Sequence, residues 1–258
     1  LGSKSTAVGS GTLFTQNFTT ATDAFNTAVG FEAGILLTTG TNNTILGGNA
    51  LSSDTLGSRS VAIGKSALAA QNFTTSTSTY NVAVGDSAGT SVTTGVHNTL
   101  IGGLAGDALT DADKNVAIGY AALTADTLGS KSVAIGLGTL EAQNFTTATD
   151  SFNTAVGAEA GATVTTGTQN TLIGGQAGDA LTTGGENVAV GAFALSGEDG
   201  NGKNVAVGVQ ALLAQNAGAE AYNVAVGYLA GKAVTTGVNN TVIGGLAGDA
   251  LTDADYNV

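Results

Sequence analysis

The feature that most constrains this chain is that it repeats itself. Aligned on a pentapeptide of the form Asn-[Thr/Val]-Ala-[Val/Ile]-Gly, repeats begin at residues 5, 26, 43, 60, 81, 98, 115, 132, 153, 170, 187, 204, 223, 240 and 257. Most steps are 17 residues, with 21 after residues 5, 60 and 132, and 19 after 204. A second period lies above the first: 60 to 132 to 204 is twice 72 residues, four repeats each time. Such periods mark solenoids, in which one short unit cannot bury its apolar side alone and stacks on its copies. Seventeen residues hold short strands and turns but hardly a helix with its connections. The expectation is an all-β, parallel β-solenoid with one coil per repeat, forming one continuous repeat domain over residues 1–258.

With the pentapeptide numbered from its first residue, position 1 is Asn in twelve of fifteen starts and Ser in three. Asn tolerates turn conformations and stacks in hydrogen-bonded ladders. Position 5 is Gly in every complete repeat, as suits a backbone needing positive φ or close approach to the next coil. The structural turn set is therefore Asn26 with Gly30, Asn43 with Gly47 and Asn81 with Gly85. Asn98 with Gly102, Asn153 with Gly157 and Asn170 with Gly174 extend it.

The candidate core comes from two sources. One is position 4 of the strand: Val29, Ile63, Val84, Ile101 and Ile118. The other is an exchange between positions 9 and 12. Where position 9 is Leu (Leu51, Leu68, Leu123), position 12 is polar; where it is Gly, position 12 is aliphatic (Leu37, Val92, Leu109). One core slot filled from either of two backbone positions keeps packed volume nearly constant. A second exchange links a large position 3 (Ile45, Leu100, Leu172, Val242) to Gly at position 6 (Gly48, Gly103, Gly175, Gly245), read as a side chain growing where its neighbour shrinks.

Positions 2 to 4 are all small or apolar apart from Thr at some position 2 sites, although successive strand side chains face opposite ways. Both faces of the strand therefore call for cover. One interior supplies one cover. Self-association is the economical source of the other.

Composition excludes several classes. Net charge is −12 and the chain has no cysteine, methionine, proline or tryptophan. It lacks the basic footprint of a nucleic-acid binder, an anionic membrane surface would repel it, and no apolar run is long enough to insert in a membrane. Its single histidine, His97, has no Ser or Cys partner for nucleophilic chemistry. Glycine-rich stretches such as residues 102–108 and 227–233 recur as repeat letters, and the latter spaces its glycines wrongly for a phosphate loop and lacks Ser or Thr after Lys232. No enzyme activity and no cofactor are expected.

Two sets of residues remain as site candidates. Asp107, Asp111 and Asp113, repeated as Asp249, Asp253 and Asp255, are oxygen-rich clusters of the kind calcium takes. The equivalent turn keeps only Asp179, and no calcium-solenoid pattern occurs, so solvated turn carboxylates are the leading reading. The long repeats carry Gln-Asn-Phe-Thr-Thr insertions that must bulge outward. The closing aromatics Phe25, Tyr80, Phe152 and Tyr222 are expected to pack over the coil edge; Phe18, Phe73 and Phe145 either do likewise or offer contact loops to a neighbouring fibre or receptor. The Asn-Phe-Thr triplets are also glycosylation sequons.

At this point the residues carry a resemblance. NTAVGFEAGILLTTGTN (26–42) and NVAVGDSAGTSVTTGVH (81–97) resemble the NTA[LIV]GxxA[LG]…TTGxN repeats of secreted bacterial proteins and phage tail fibres. SVAIGKSAL and SVAIGLGTL more loosely resemble the head repeats of YadA-like trimeric autotransporters. The resemblance spans the whole chain. It implies a left-handed β-roll, a homotrimer, and an extracellular, cell-surface or virion fibre, as a shaft or head segment used for attachment. A host or surface receptor is the further partner it implies. Both chain ends fall within repeats, so an internal segment of a longer chain is expected.

Overall fold

A computed structural model describes residues 2–258. Among them there is no helix, and the chain winds as a parallel β-solenoid of about fourteen coils. Chain compactness divides it into two units: residues up to 130 with 146–148, and residues 131–145 with 149–258.

In the first unit seven three-residue strands, Thr6–Val8, Thr27–Val29, Thr44–Leu46, Val61–Ile63, Val82–Val84, Thr99–Ile101 and Val116–Ile118, pair in parallel. The second unit has seven more, from Val133–Ile135 to Thr241–Ile243, with the same pairing. Register follows the repeat throughout: Thr99 sits beside Val82 and Val116, and Leu100 beside Ala83 and Ala117. The 21-residue coils add a two-residue strand from the insertion. Thr22–Asp23 pairs with Gly2–Ser3, and Thr77–Ser78 with Gly57–Ser58.

The strand middle points inward. Ala28, Ala62, Ala83, Leu100 and Ala117 are fully buried, while positions 2 and 4 point out. This corrects the core assignment of Val29, Ile63, Val84, Ile101 and Ile118. The first three and Ile118 are only half-buried, and Ile101 is 37% exposed. Strand side chains alternate, and the inward slot in a narrow coil belongs to position 3. Leu37, Leu51, Leu68, Val92, Leu109 and Leu123 line the interior with no exposed surface.

The exchange between positions 9 and 12 has a direct geometric cause. A Cβ on Gly89 would lie 2.6 Å from Leu100 Cδ1, 3.1 Å from Leu68 Cδ2 and 3.3 Å from Val92 Cγ2. Gly161 is hemmed in the same way by Leu172, Leu140 and Val164. The absent side chain is filled by three neighbours, one from each adjacent coil and one from its own. It is this core glycine that admits the large position 3. The position 6 glycine does not: a Cβ on Gly48 would meet nothing within 4 Å, and one on Gly103 would have its nearest neighbour at 3.5 Å. The exchange read between positions 3 and 6 therefore has no packing cause inside the chain.

The position 1 asparagines start the strands rather than occupying turns. Asn98 and its counterparts are buried, and each carboxamide does two tasks. Asn98 Oδ1 accepts from the backbone N–H of Asn115 at 2.9 Å, one coil on, while its Nδ2 donates to the carbonyl of Ala112 across the same coil at 2.7 Å. Asn26, Asn43, Asn81, Asn153 and Asn170 repeat both bonds. Buried backbone groups at the coil's turns are satisfied this way. The position 5 glycines sit where coils touch. Gly102 has φ +133°, and a Cβ there would lie 2.4 Å from the carbonyl oxygen of Gly119.

Candidate interaction surface

Outside the strand core, the sheet of each unit presents two outward columns, positions 2 and 4, made only of Val, Ile, Leu and Thr. No charged residue occurs in either column. Position 6 borders them. Where it carries a side chain, as with Lys65, Tyr120 or Leu137, the neighbouring Ile63, Ile118 or Ile135 is half-buried. Where it is Gly, the aliphatic beside it is bared: Leu46 is 47% exposed and Ile173 39%, matching Ile101.

The column on the other border, just before position 1, holds residues with φ near +50 to +66°. Its side chains stack from coil to coil. Lys4 lies over the Phe25 ring at 5.3 Å, Arg59 over Tyr80 at 5.4 Å, Lys131 over Phe152 at 5.0 Å and Lys203 over Tyr222 at 5.5 Å. His97 continues one stack, with its ring 5.5 Å from that of Tyr80. Acids from the insertions close three of them: Asp23 on Lys4 at 2.7 Å, Asp150 on Lys131 at 2.5 Å and Glu220 on Lys203 at 2.7 Å. The hydrogen bond from Lys4 holds the Asp23 carboxyl below its ordinary range, and Lys203 does the same to Glu220. Cation and ring recur once per long coil, with a carboxylate in three of the four, and pin the insertion to the coil before it. That role is visible in the sequence only as a Lys or Arg one coil before an aromatic, about twenty residues apart.

The insertions do not present Phe18, Phe73 and Phe145 as contact residues. All three are turned inward, with 5 to 6% of their surface exposed, whereas the closing aromatics Phe25, Tyr80, Phe152 and Tyr222 are about half exposed. The insertion is anchored by burying its own ring, because an extended bulge has no other apolar group to hold it. Asn17, Asn72 and Asn144 stay exposed beside them.

The six aspartates proposed for calcium do not converge. Asp113 Oδ1 accepts from the backbone N–H of Val96 at 2.8 Å and Asp255 Oδ1 from that of Val238 at 2.8 Å. Asp111 accepts from Thr93, Asp107 from Thr124 and Asp253 from Thr252. Each serves its neighbouring coil or its own turn, and Asp249 joins no cluster. Among the described residues no group of three or more His, Cys, Asp or Glu is placed to hold a metal ion.

Sequence reasoning missed the polar slot of the core. Asp54, fully buried, accepts from Gln71 Nε2 at 2.6 Å and from the Gly57 N–H at 3.0 Å. Gln71 also donates to Ser60 Oγ, and its own Oε1 accepts from Asn81. Glu198 takes the same place later in the chain, with one oxygen bonded to Asn201 and Oε2 without a donor. Burial pushes both carboxyls above their ordinary range. The signal was the polar residue at position 12 of every Leu coil.

No family model matches the chain, and none of the curated proteins compared with it matches.

Proposed function

We propose that this chain is a structural segment, shaft or head, of an extracellular fibre used for attachment, built by self-association of left-handed β-rolls into a trimer. The observation that carries the reading is the uncharged face of Val, Ile, Leu and Thr on the outside of each unit's sheet. Parallel strands with apolar residues on both faces belong to doubly covered sheets, and the interior covers one face only. Resemblance to secreted repeat proteins and phage tail fibres supports a fibre, whether on a cell surface or a virion. No catalytic role is part of the proposal. The reading in which the Gln-Asn-Phe-Thr-Thr loops are adhesive tips loses its aromatic contact residues, since those rings are buried.

Sedimentation of the purified chain tests the proposal. A mass near three times 24.9 kDa is expected; a single chain of 24.9 kDa at every concentration would overturn it.

A further inference from the structure

We infer that the position 6 glycines are docking notches for a second copy of this chain, and that the contact is heterologous, setting the basic-edged sheet face of one copy against the acidic flank of another. The inference rests on the self-association proposed above and names its faces. Gly48, Gly103 and Gly175 need not be glycine for any reason within the chain. None has positive φ, and an added Cβ would have its nearest neighbour 3.5 Å away or farther. Each nevertheless bares an aliphatic residue, Leu46, Ile101 or Ile173, on a face that elsewhere half-covers the same residue type. Gly48 and Gly103 lie three coils apart, and Gly103 and Gly175 four coils apart. A missing side chain that opens apolar surface to water, and does so in each of these coils, is explained by another surface that must approach closely there.

Charge says which surface. The columns bordering the sheet face hold Lys4, Arg59, Lys65, Lys114, Lys131 and Lys203, six of the chain's seven basic residues, with Asp86 and Glu186. Asp23, Asp150 and Glu220 of the insertions pair with Lys4, Lys131 and Lys203, which leaves Arg59, Lys65 and Lys114 as the cations of these columns without an ion pair among the described residues. The flank that follows, at positions 7 and 10, carries Glu32, Asp107, Glu141, Glu159, Asp179 and Asp249 against a single basic residue, Lys232. A chain of net charge −12 repels its own copies unless opposite signs meet, and this segregation lets them meet when unlike faces of two copies join. Unlike faces make a head-to-tail contact, which closes into a ring or propagates. Seven strands about 4.8 Å apart, with exposed columns roughly 10 Å wide, give on the order of 300 Å² per unit, a contribution to the ~800 Å² per partner of a stable contact that the acidic flank and bordering columns enlarge.

The test compares the wild-type chain with two double variants by sedimentation and far-ultraviolet circular dichroism. Gly103→Gln with Gly175→Gln fills two notches without adding apolar surface. Lys65→Glu with Lys114→Glu reverses two unpaired charges. Wild-type assembly, with both variants keeping the wild-type spectrum and raising the dissociation concentration about tenfold or more, is the expected result. A single-chain wild type would defeat the self-association reading itself. An assembled wild type whose notch-filled variant assembles equally well would overturn the notches while leaving self-association standing. Unchanged assembly of the charge variant would overturn the pairing of unlike faces. Should the notch-filled variant lose its fold, the glycines are structural and the inference fails.

Discussion

Two adjacent glycines at residues 102 and 103 show how differently one residue type can be used. Gly102 has a left-handed φ, and the next coil's carbonyl sits where a Cβ would go; Gly103 has neither constraint. Gly102→Ala should cost about 3 kcal/mol or more through backbone strain and collision. Gly103→Ala should lie within about 0.5 kcal/mol of wild type. Chemical denaturation of the two variants measures both, and equal losses would contradict the geometry. The position 1 asparagine is the other demanding residue. Asn98→Ala strands the buried N–H of Asn115 and the carbonyl of Ala112, which should cost roughly 2–4 kcal/mol. Asn98→Asp should fail similarly, because a carboxylate cannot donate to the Ala112 carbonyl.

At the scale of a coil, stability rests on a small interior shared among neighbours. Phe73→Ser should destabilise by about 3 kcal/mol, since the ring that anchors the insertion is buried. Had it been a contact residue, the change would leave stability untouched and alter only binding, so a denaturation curve separates the two. The polar slot adds a pH dependence. Asp54 and Glu198 have raised pKa values in the fold, so their neutral forms are the ones the fold favours. For such a group, stability is greatest below the unfolded value, near 3.8 for Asp54 and 4.5 for Glu198, and is lost as pH rises through the raised folded value. Asp23 and Glu220 act oppositely: their lowered values contribute stability above the unfolded pKa that is lost on acidification, but both side chains are exposed and screened. The thermal midpoint should therefore rise as the chain is taken from pH 7 toward the carboxylate range, and Glu198→Gln should flatten that rise. A midpoint that falls steadily over this interval in the wild type would refute the assignment.

For the whole molecule, the four-coil period is the unit that preserves packing. Deleting residues 60–131 joins Arg59 to Ser132 and keeps every neighbour type, so a cooperative thermal transition should survive. Deleting only residues 98–114 sets Ala117 where Leu100 should fill the space over Gly89. The half-filled slot should cost about 2–5 kcal/mol, read from the midpoint of unfolding. Equal stability of the two deletions would mean that coils are interchangeable and the superrepeat is incidental. Assembly belongs to this scale as well, since the exposed aliphatic columns become useful only when another copy covers them.

The repeat by itself determined coil length, parallel stacking, the glycine at the coil contact and the volume exchange between positions 9 and 12, because each recurs often enough for covariation to show in one chain. It could not say which of two alternating strand positions faces in. Positions 3 and 4 are both apolar, and only the closed coil decides that position 3, Ala83 and Leu100 alike, faces inward and leaves Val29, Ile63, Val84, Ile101 and Ile118 on the outer face. Nor could it orient the insertions, where Phe18 and Phe25 are equally aromatic and the backbone alone selects which is buried. The same limit hid the position 6 glycines. A glycine forced by a neighbour and a glycine left open are the same letter, and the difference between them is the space around Gly103.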